Sequence, residues 1–344
     1  MRELDLAAAA SALRRRDDLV LDGWSRRDID DALRGGDLVR VRRGWYCDGG
    51  TWRDLWPESQ HRLHIAAVSS DAGAPPVFSF TSAAVLHGLP LYRLFVQRVH
   101  AVDAGVGRHS GPTVGRHRDA VDDVDIVTVD GLPCTSLERT VSDLLRGASL
   151  EVAVAAADAA MQRVAGPPRR YDVAGGDAFR ERLRERLRER LRRSSGKRGV
   201  RAARDVVEVL DGRSELPLES VTKLQVRRLG FMQPGLQVKV PAGTGTYWMD
   251  LELVEADAFL ECDGDGKYTD PALTAGRPLS GILLAEKERE DWVRGVTGRR
   301  VLRCASRDVV TPDALADRLR AFRITLPTSR ERLFLPRRPL LAGQ

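Results

Sequence analysis

Two short runs, Asp250-Leu251-Glu252-Leu253 and Ala258-Phe259-Leu260-Glu261-Cys262-Asp263, alternate acidic and apolar residues across a four-residue gap from Val254 to Asp257. That alternation predicts a β-hairpin in which Leu253 faces Ala258 and Asp250 faces Glu261. Leu251, Leu253, Ala258 and Leu260 then enter a core, while Asp250, Glu252, Glu261 and Asp263 share the other face. Carboxylates directly opposed on antiparallel strands destabilise the pair. The repulsion is on the order of 3 kcal/mol at about 5 Å and an effective dielectric of about 20. A divalent cation reverses its sign. Hard oxygen ligands on adjacent strands are what Mg²⁺ (or Mn²⁺) requires for phosphodiester hydrolysis.

The elements that must position this hairpin can be read on either side of it. Pro217 to Leu229 reads as a helix carrying Glu219 and closed by Gly230, and Gly235 to Val240 as a strand. Gly264 to Pro278 is a Gly/Asp-rich loop, Ile282 to Arg294 a helix, and Arg300 to Cys304 a last strand. The order is αβββαβ, a meander followed by a right-handed crossover.

Four segments carry a family likeness: Leu218-Glu219-Ser220, Met249-Asp250-Leu251, Glu261 to Tyr268, and Glu286 to Asp291. In this order they resemble the PD-(D/E)XK restriction-endonuclease-like nucleases, especially small relatives of the very-short-patch-repair endonuclease, over roughly residues 214–310. The resemblance implies that Asp250 and Glu261 ligate Mg²⁺ with the main-chain carbonyl of Cys262. Glu219 would add a water-mediated ligand or orient the nucleophile. The family's Glu-x-Lys has Asp263 at its third position here, so Lys267 or Lys287 would supply the missing cation, with Lys267 the better placed. Asp263 would be an extra ligand, a base or a turn cap. An inactive nuclease fold retained for DNA binding stays open beside the catalytic reading.

The N-terminal residues suggest a second kind of contact. Leu6 to Arg16 reads as a helix, and Ser25 as the N-cap of another, Arg26 to Arg34, stopped by Gly35-Gly36. Leu38 to Tyr46 alternates like a hairpin with Arg40 and Arg42 on one face. A helix followed by an arginine-bearing ribbon predicts a small winged helix-turn-helix. Its helix would enter a major groove and its wing would lie on phosphates, with Arg26, Arg27, Arg40, Arg42 and Arg43 touching DNA. The plainer alternative is a solvated helix whose Asp28, Asp30 and Asp31 cancel much of the charge.

Further on, Val77 to Phe80, Val99 to Val102 and Ile126 to Val129 read as strands, and Thr81 to Leu86, Ser136 to Leu145 and Leu150 to Arg163 as helices. All six histidines lie between His61 and His117 without a ligand-like spacing, so they read as core or surface histidines. The stretches Leu38 to Tyr46, Phe80 to Pro90 and Asp130 to Thr140 resemble abortive-infection type IV antitoxins (AbiEi-like), over roughly residues 20–165. That resemblance implies promoter binding through the winged helix and a cognate toxin as partner.

The chain has 344 residues, 42% apolar and 30% charged, which fits two or three folded domains rather than disorder. The expected plan is α/β and α+β multidomain: a winged-helix domain at 1–55, an α+β central domain at 56–165, a basic helical linker at 166–213, a nuclease-like domain at 214–325 and a tail at 326–344. In the linker an Arg-Glu-Arg-Leu repeat puts Leu183, Leu187 and Leu191 on one stripe, read as a solvated helix. The 55 basic and 49 acidic residues, net +6, favour a polyanionic partner such as DNA. Four scattered cysteines suit a reducing compartment, and no apolar run predicts a membrane span, so a cytoplasmic location without membrane contact is expected. Two functions remain: a DNA-binding Mg²⁺-dependent endonuclease, or a non-enzymatic regulator or antitoxin with an inactive nuclease fold.

Overall fold

A computed structural model describes residues 2–96, 98–102, 110–118, 121–193, 200–232, 234–243, 245–264 and 279–327, with backbone alone at 190–193, 200–202 and 279–283. The protein mixes helices and small sheets. It divides into two compact units, one running to Val152 and one starting at Ala153. No helix among the described residues is long and apolar enough to cross a membrane.

The first unit opens with α1 (Leu6–Ser11), β1 (Arg14–Arg15), α2 (Arg16–Leu21), α3 (Arg26–Gly35), β2 (Leu38–Arg42), β3 (Trp45–Asp48), α4 (Gly49–Asp54) and α5 (Pro57–Asp71). The three strands form one sheet in the order β1-β3-β2. The single helix expected from Leu6 to Arg16 is therefore two helices with a strand between them. Leu13 packs with Val41 and Trp45, which draws Arg14 and Arg15 into pairing with Tyr46 and Trp45. Helix formation restarts where the Asp18 side chain accepts the Arg15 N–H at 3.1 Å.

Helix α3 follows its sequence signals closely. Ser25 and Asp28 cap each other reciprocally, and Gly36 ends the helix at φ 78. Ile29 and Ala32 pack with Leu19, Leu38 and Tyr46 on one side of the sheet. Val41, Trp45 and Cys47 pack with Ala9, Leu55 and Leu63 in a separate cluster. A bulge corrects the expectation that Arg40 and Arg42 share a face: Arg40 lies opposite Tyr46, but Arg42 lies opposite the adjacent Trp45. One extra residue in the strand moves the following side chain across the sheet. The turn from α3 toward α4 is tight, and a Cβ on Gly49 would lie 1.9 Å from the Gly36 carbonyl oxygen.

The rest of this unit contains α6 (Phe80–Leu86), β4 (Val99–Val102), β5 (Val114–His117), β6 (Ile126–Val129), β7 (Leu132–Thr135) and α7 (Leu137–Gly147). Strands β4 and β5 are parallel, whereas β6 and β7 form a hairpin. Its turn is Asp130-Gly131, both at positive φ (48 and 79), the two-residue type that Asp-Gly favours. The strand expected at Val77 to Phe80 shrinks to isolated bridges from Phe78 to Ala101 and Cys134. Ser79 is already the N-cap of α6, leaving no length for a ladder.

Helix α8 (Leu150–Ala165) leads into the second unit, which continues with α9 (Val173–Arg193), α10 (Val200–Val207), α11 (Pro217–Arg228), β8 (Gly235–Ala242), β9 (Gly245–Leu253), β10 (Ala258–Asp263), α12 (Leu279–Thr297), β11 (Arg300–Ala305) and α13 (Pro312–Ala321). The sheet order is β11-β10-β9-β8, with β10 and β11 parallel and the other neighbours antiparallel. The segment read as a solvated linker is instead packed: Phe179, Leu183 and Leu187 are fully buried, as are Ala203, Val206 and Val207. Leucine at every fourth position gives α9 an apolar stripe. Its arginines are largely paired, Arg184 meeting Glu181 at 2.9 Å and Glu208 of the following segment at 2.6 Å. Helices α8 and α11 are joined by a fully buried ion pair, Lys223 to Asp158 at 2.5 Å, and Asp158 also accepts the Asp211 N–H at 2.8 Å.

Candidate active site

The acidic hairpin forms in the expected register, with Ala258 opposite Leu253 and Leu260 opposite Leu251. Leu251, Leu253, Ala258 and Leu260 are fully buried, as the alternation requires. One step beyond the last regular pair, the Asp250 N–H reaches Glu261 Oε1 at 3.4 Å. The Asp250 carboxylate turns onto β10 and accepts the Cys262 N–H at 2.8 Å. Cys262 therefore presents its N–H to this site.

Glu219 reaches the same neighbourhood from the first turn of α11, which starts at Pro217 with no side-chain cap on Leu216. Its own carboxylate satisfies the start of the helix by accepting the Glu215 N–H at 2.8 Å. It also accepts Gln237 Nε2 at 3.2 Å. Gln237 stands on β8 between the residues paired with Leu251 and Met249, hence opposite Asp250, at the unusual φ of 47. Nothing in the sequence pattern singles Gln237 out. Only the β8–β9 register does.

Burial first, and then the charge of Asp250, push the Glu219 carboxyl up to about 8 and the Glu261 carboxyl up to about 7. Arg289 pulls Glu261 back down by charge and hydrogen bonding. The Cys262 thiol is pushed well above its ordinary value, mainly by burial and next by Asp250. Glu219, Asp250 and Glu261, read from the sequence as one set, are thus electrostatically one set in the fold, joined through Asp250.

The acidic face is covered, and arginines cover it. Helix α12 packs Val293 against Phe259, Met249 and Val301. From the same helix Arg289 Nη2 donates to Glu261 Oε2 at 2.8 Å and to the Trp248 carbonyl at 2.9 Å. Arg303 on β11 meets Asp263 at 2.8 Å and Glu286 at 3.2 Å, and also pairs with Glu290. Arg299 pairs with Glu252 and, at 2.9 Å, with Asp257. Asp263, expected as ligand, base or turn cap, is therefore an ion-pair partner at the end of β10. Lys287 is exposed on α12. It is two positions from Arg289 and hence on the helix's other side, so the helical cation beside Glu261 is Arg289. Lys267 lies outside the described residues. The sequence held a signal for Arg303: a strand parallel to β10 places it directly opposite Glu261 in register.

Hard carboxylate oxygens are the donor type Mg²⁺ takes, and Asp250 raising both its neighbours marks an excess of negative charge. The chemistry of the set suits a divalent ion. Its present geometry does not: among the described residues no three His, Cys, Asp or Glu side chains are grouped to hold a metal ion, and Glu261 is engaged by Arg289.

In the first unit, the outward face of α3 carries Arg26, Arg27 and Arg34. Each is weakly or closely paired within the helix, Arg26 to Asp30 at 3.8 Å, Arg27 to Asp31 at 3.9 Å and Arg34 also to Asp31. Arg40 and Arg43 are exposed, whereas Arg42 is half-buried against Asp71 at 3.2 Å. The histidines lie inside this unit: His61 contacts Ser82 Oγ at 2.8 Å, and His100 contacts His117 at 2.8 Å. His109 is outside the described residues.

No protein-family model matches the chain. Uncharacterized proteins from two strains of Mycobacterium tuberculosis are each 26% identical to it over 224 residues, 65% of this chain and 72% of each relative.

Proposed function

We propose that this protein binds DNA through its N-terminal unit and hydrolyses phosphodiester bonds with the acidic site of its second unit, a PD-(D/E)XK-like nuclease domain. The observation that carries the reading is the meeting of Glu219, Asp250 and Glu261 from one helix and two adjacent strands, within an α-β-β-β-α-β order whose last strand is parallel. A bound Mg²⁺ or Mn²⁺ would supply Lewis-acid activation of water and charge stabilisation at the phosphoryl group. Asp250 and Glu261 would hold it. Glu219, whose carboxyl keeps its proton near neutral pH, would orient water or donate that proton. The helix–strand–helix–helix–strand–strand order of residues 6–48, with strands arranged β1-β3-β2, supports the winged-helix reading. Of the five arginines expected at DNA, Arg26, Arg27, Arg40 and Arg43 are the exposed ones.

The test is a nicking assay on plasmid DNA with Mg²⁺ or Mn²⁺. Wild type is expected to cleave and Asp250→Ala to lose activity by about 100-fold or more, the scale on which one electrostatic group at a reacting centre acts. Equal cleavage by the two proteins rejects the site. A second reading, a non-enzymatic regulator or antitoxin with a cognate toxin as partner, draws on the arginines that already neutralise Glu252, Glu261 and Asp263 without a metal. It requires no cleavage with either ion, and loss of promoter binding when Arg40, Arg42 and Arg43 are all replaced by Ala.

A further inference from the structure

Glu261 has one contact that the metal reading leaves unused. Arg289 Nη2 sits 2.8 Å from Glu261 Oε2, and the same nitrogen is 2.9 Å from the Trp248 carbonyl oxygen and 3.8 Å from Met249 Sδ. One guanidinium thus ties α12 to β10 and to the residues immediately before Asp250. Glu261 is buried at 4% exposure, so water screens this contact little. The arginine side chain is 25% exposed, which leaves it a path outward to solvent.

A divalent ion accepts a carboxylate oxygen at about 2.0–2.1 Å and demands a near-octahedral shell. It cannot share Glu261 Oε2 with a guanidinium already in hydrogen-bond contact, because two cations at one buried carboxylate repel strongly in a low effective dielectric. We infer that Arg289 is the resident counter-ion of the acidic site, and that a divalent cation binds Glu261 only by displacing it. Arg289 therefore sets the metal affinity of the site. Arg303 is a natural comparison: it carries the same charge in the same unit, but its carboxylates are Asp263, Glu286 and Glu290. Loss of Arg303 would change the general field without vacating Glu261.

The inference rests on the divalent-ion reading of the site, and Mn²⁺ titration of the full-length protein without DNA, by calorimetry and by paramagnetic resonance, separates the two. Arg289→Met is expected to bind Mn²⁺ at least 10-fold more tightly than wild type, and Arg289→Lys between the two, since an ammonium keeps the charge but loses the planar fork. Arg303→Met is expected to stay within 3-fold of wild type. Circular dichroism and thermal midpoints identify any variant that fails to fold, and Arg289→Lys, the smaller change, carries the test if Arg289→Met does. If Arg289 variants bind as wild type does, or if Arg303→Met tightens binding equally, the displacement idea is overturned while the metal site stands. If no protein in the series binds Mn²⁺, the metal site itself falls, and the inference with it.

Discussion

At the scale of single residues, the distinctive fact is where the protons sit. Glu219 and Glu261 are raised above the ordinary carboxyl value of 4.5, mainly by burial and then by Asp250. Between pH 4.5 and about 7 to 8 the folded chain therefore keeps protons that the unfolded chain has released. Stability in that window falls as pH rises, because the native state binds the larger number. Urea unfolding in the presence of a chelator is expected to show the midpoint of the second unit falling from pH 5 to pH 8. In Glu219→Gln the decline should be shallower. It should not vanish, because Asp158 is also raised by burial and contributes with the same sign. An unchanged slope in the variant would show that Glu219 titrates normally.

Elements came through the sequence unevenly, and the reasons are physical. Helix α3 and the acidic hairpin were legible because local signals, the Ser25 cap, Gly36 and strict alternation, agree with the tertiary packing. Helix α1 was overextended because apolar Leu13 belongs to a contact with Val41 and Trp45, distant in sequence. Leu183 and Leu187 looked like a solvated stripe because their packing partners are set by tertiary contacts rather than by the repeat. At the site, the carboxylates could be picked out by alternation, but their partners could not: Arg289, Arg303 and Gln237 act through register and helix facing. The tightest element junction is Gly49 against Gly36. A methyl group there meets backbone rather than a yielding side chain. Gly49→Ala is accordingly expected to destabilise the first unit by about 3 kcal/mol, the upper range for overpacking, read from chemical denaturation. A change below about 0.5 kcal/mol, the size of an ordinary surface substitution, would contradict the close approach.

Across the whole molecule, the two units answer pH in opposite senses. All six histidines fall in the first unit. His61 and His100 are held below their ordinary value chiefly by burial, His61 well below and His100 down to about 3. Their stabilising contribution is full above about pH 6.5 and is lost as pH falls toward 3. Scanning calorimetry from pH 4 to 8 should resolve one transition that strengthens up to about pH 6.5 and another that weakens throughout. Two transitions moving together would contradict these assignments.

The Asp158–Lys223 pair has a consequence for where this chain can be cut. Lys223 lies one turn beyond Glu219 on α11, and its charge is met by a carboxylate from α8, some sixty residues earlier. A fragment starting at Ser214, where the nuclease-like domain begins in the sequence, would bury an ammonium with no partner. Breaking such a pair from one side costs about 3–5 kcal/mol, a large part of the stability of a small domain. The smallest autonomous piece carrying the acidic site is therefore expected to begin before α8. A fragment from residue 148 should be soluble and cooperative, and one from 214 should not fold unless Lys223 is also replaced by Met.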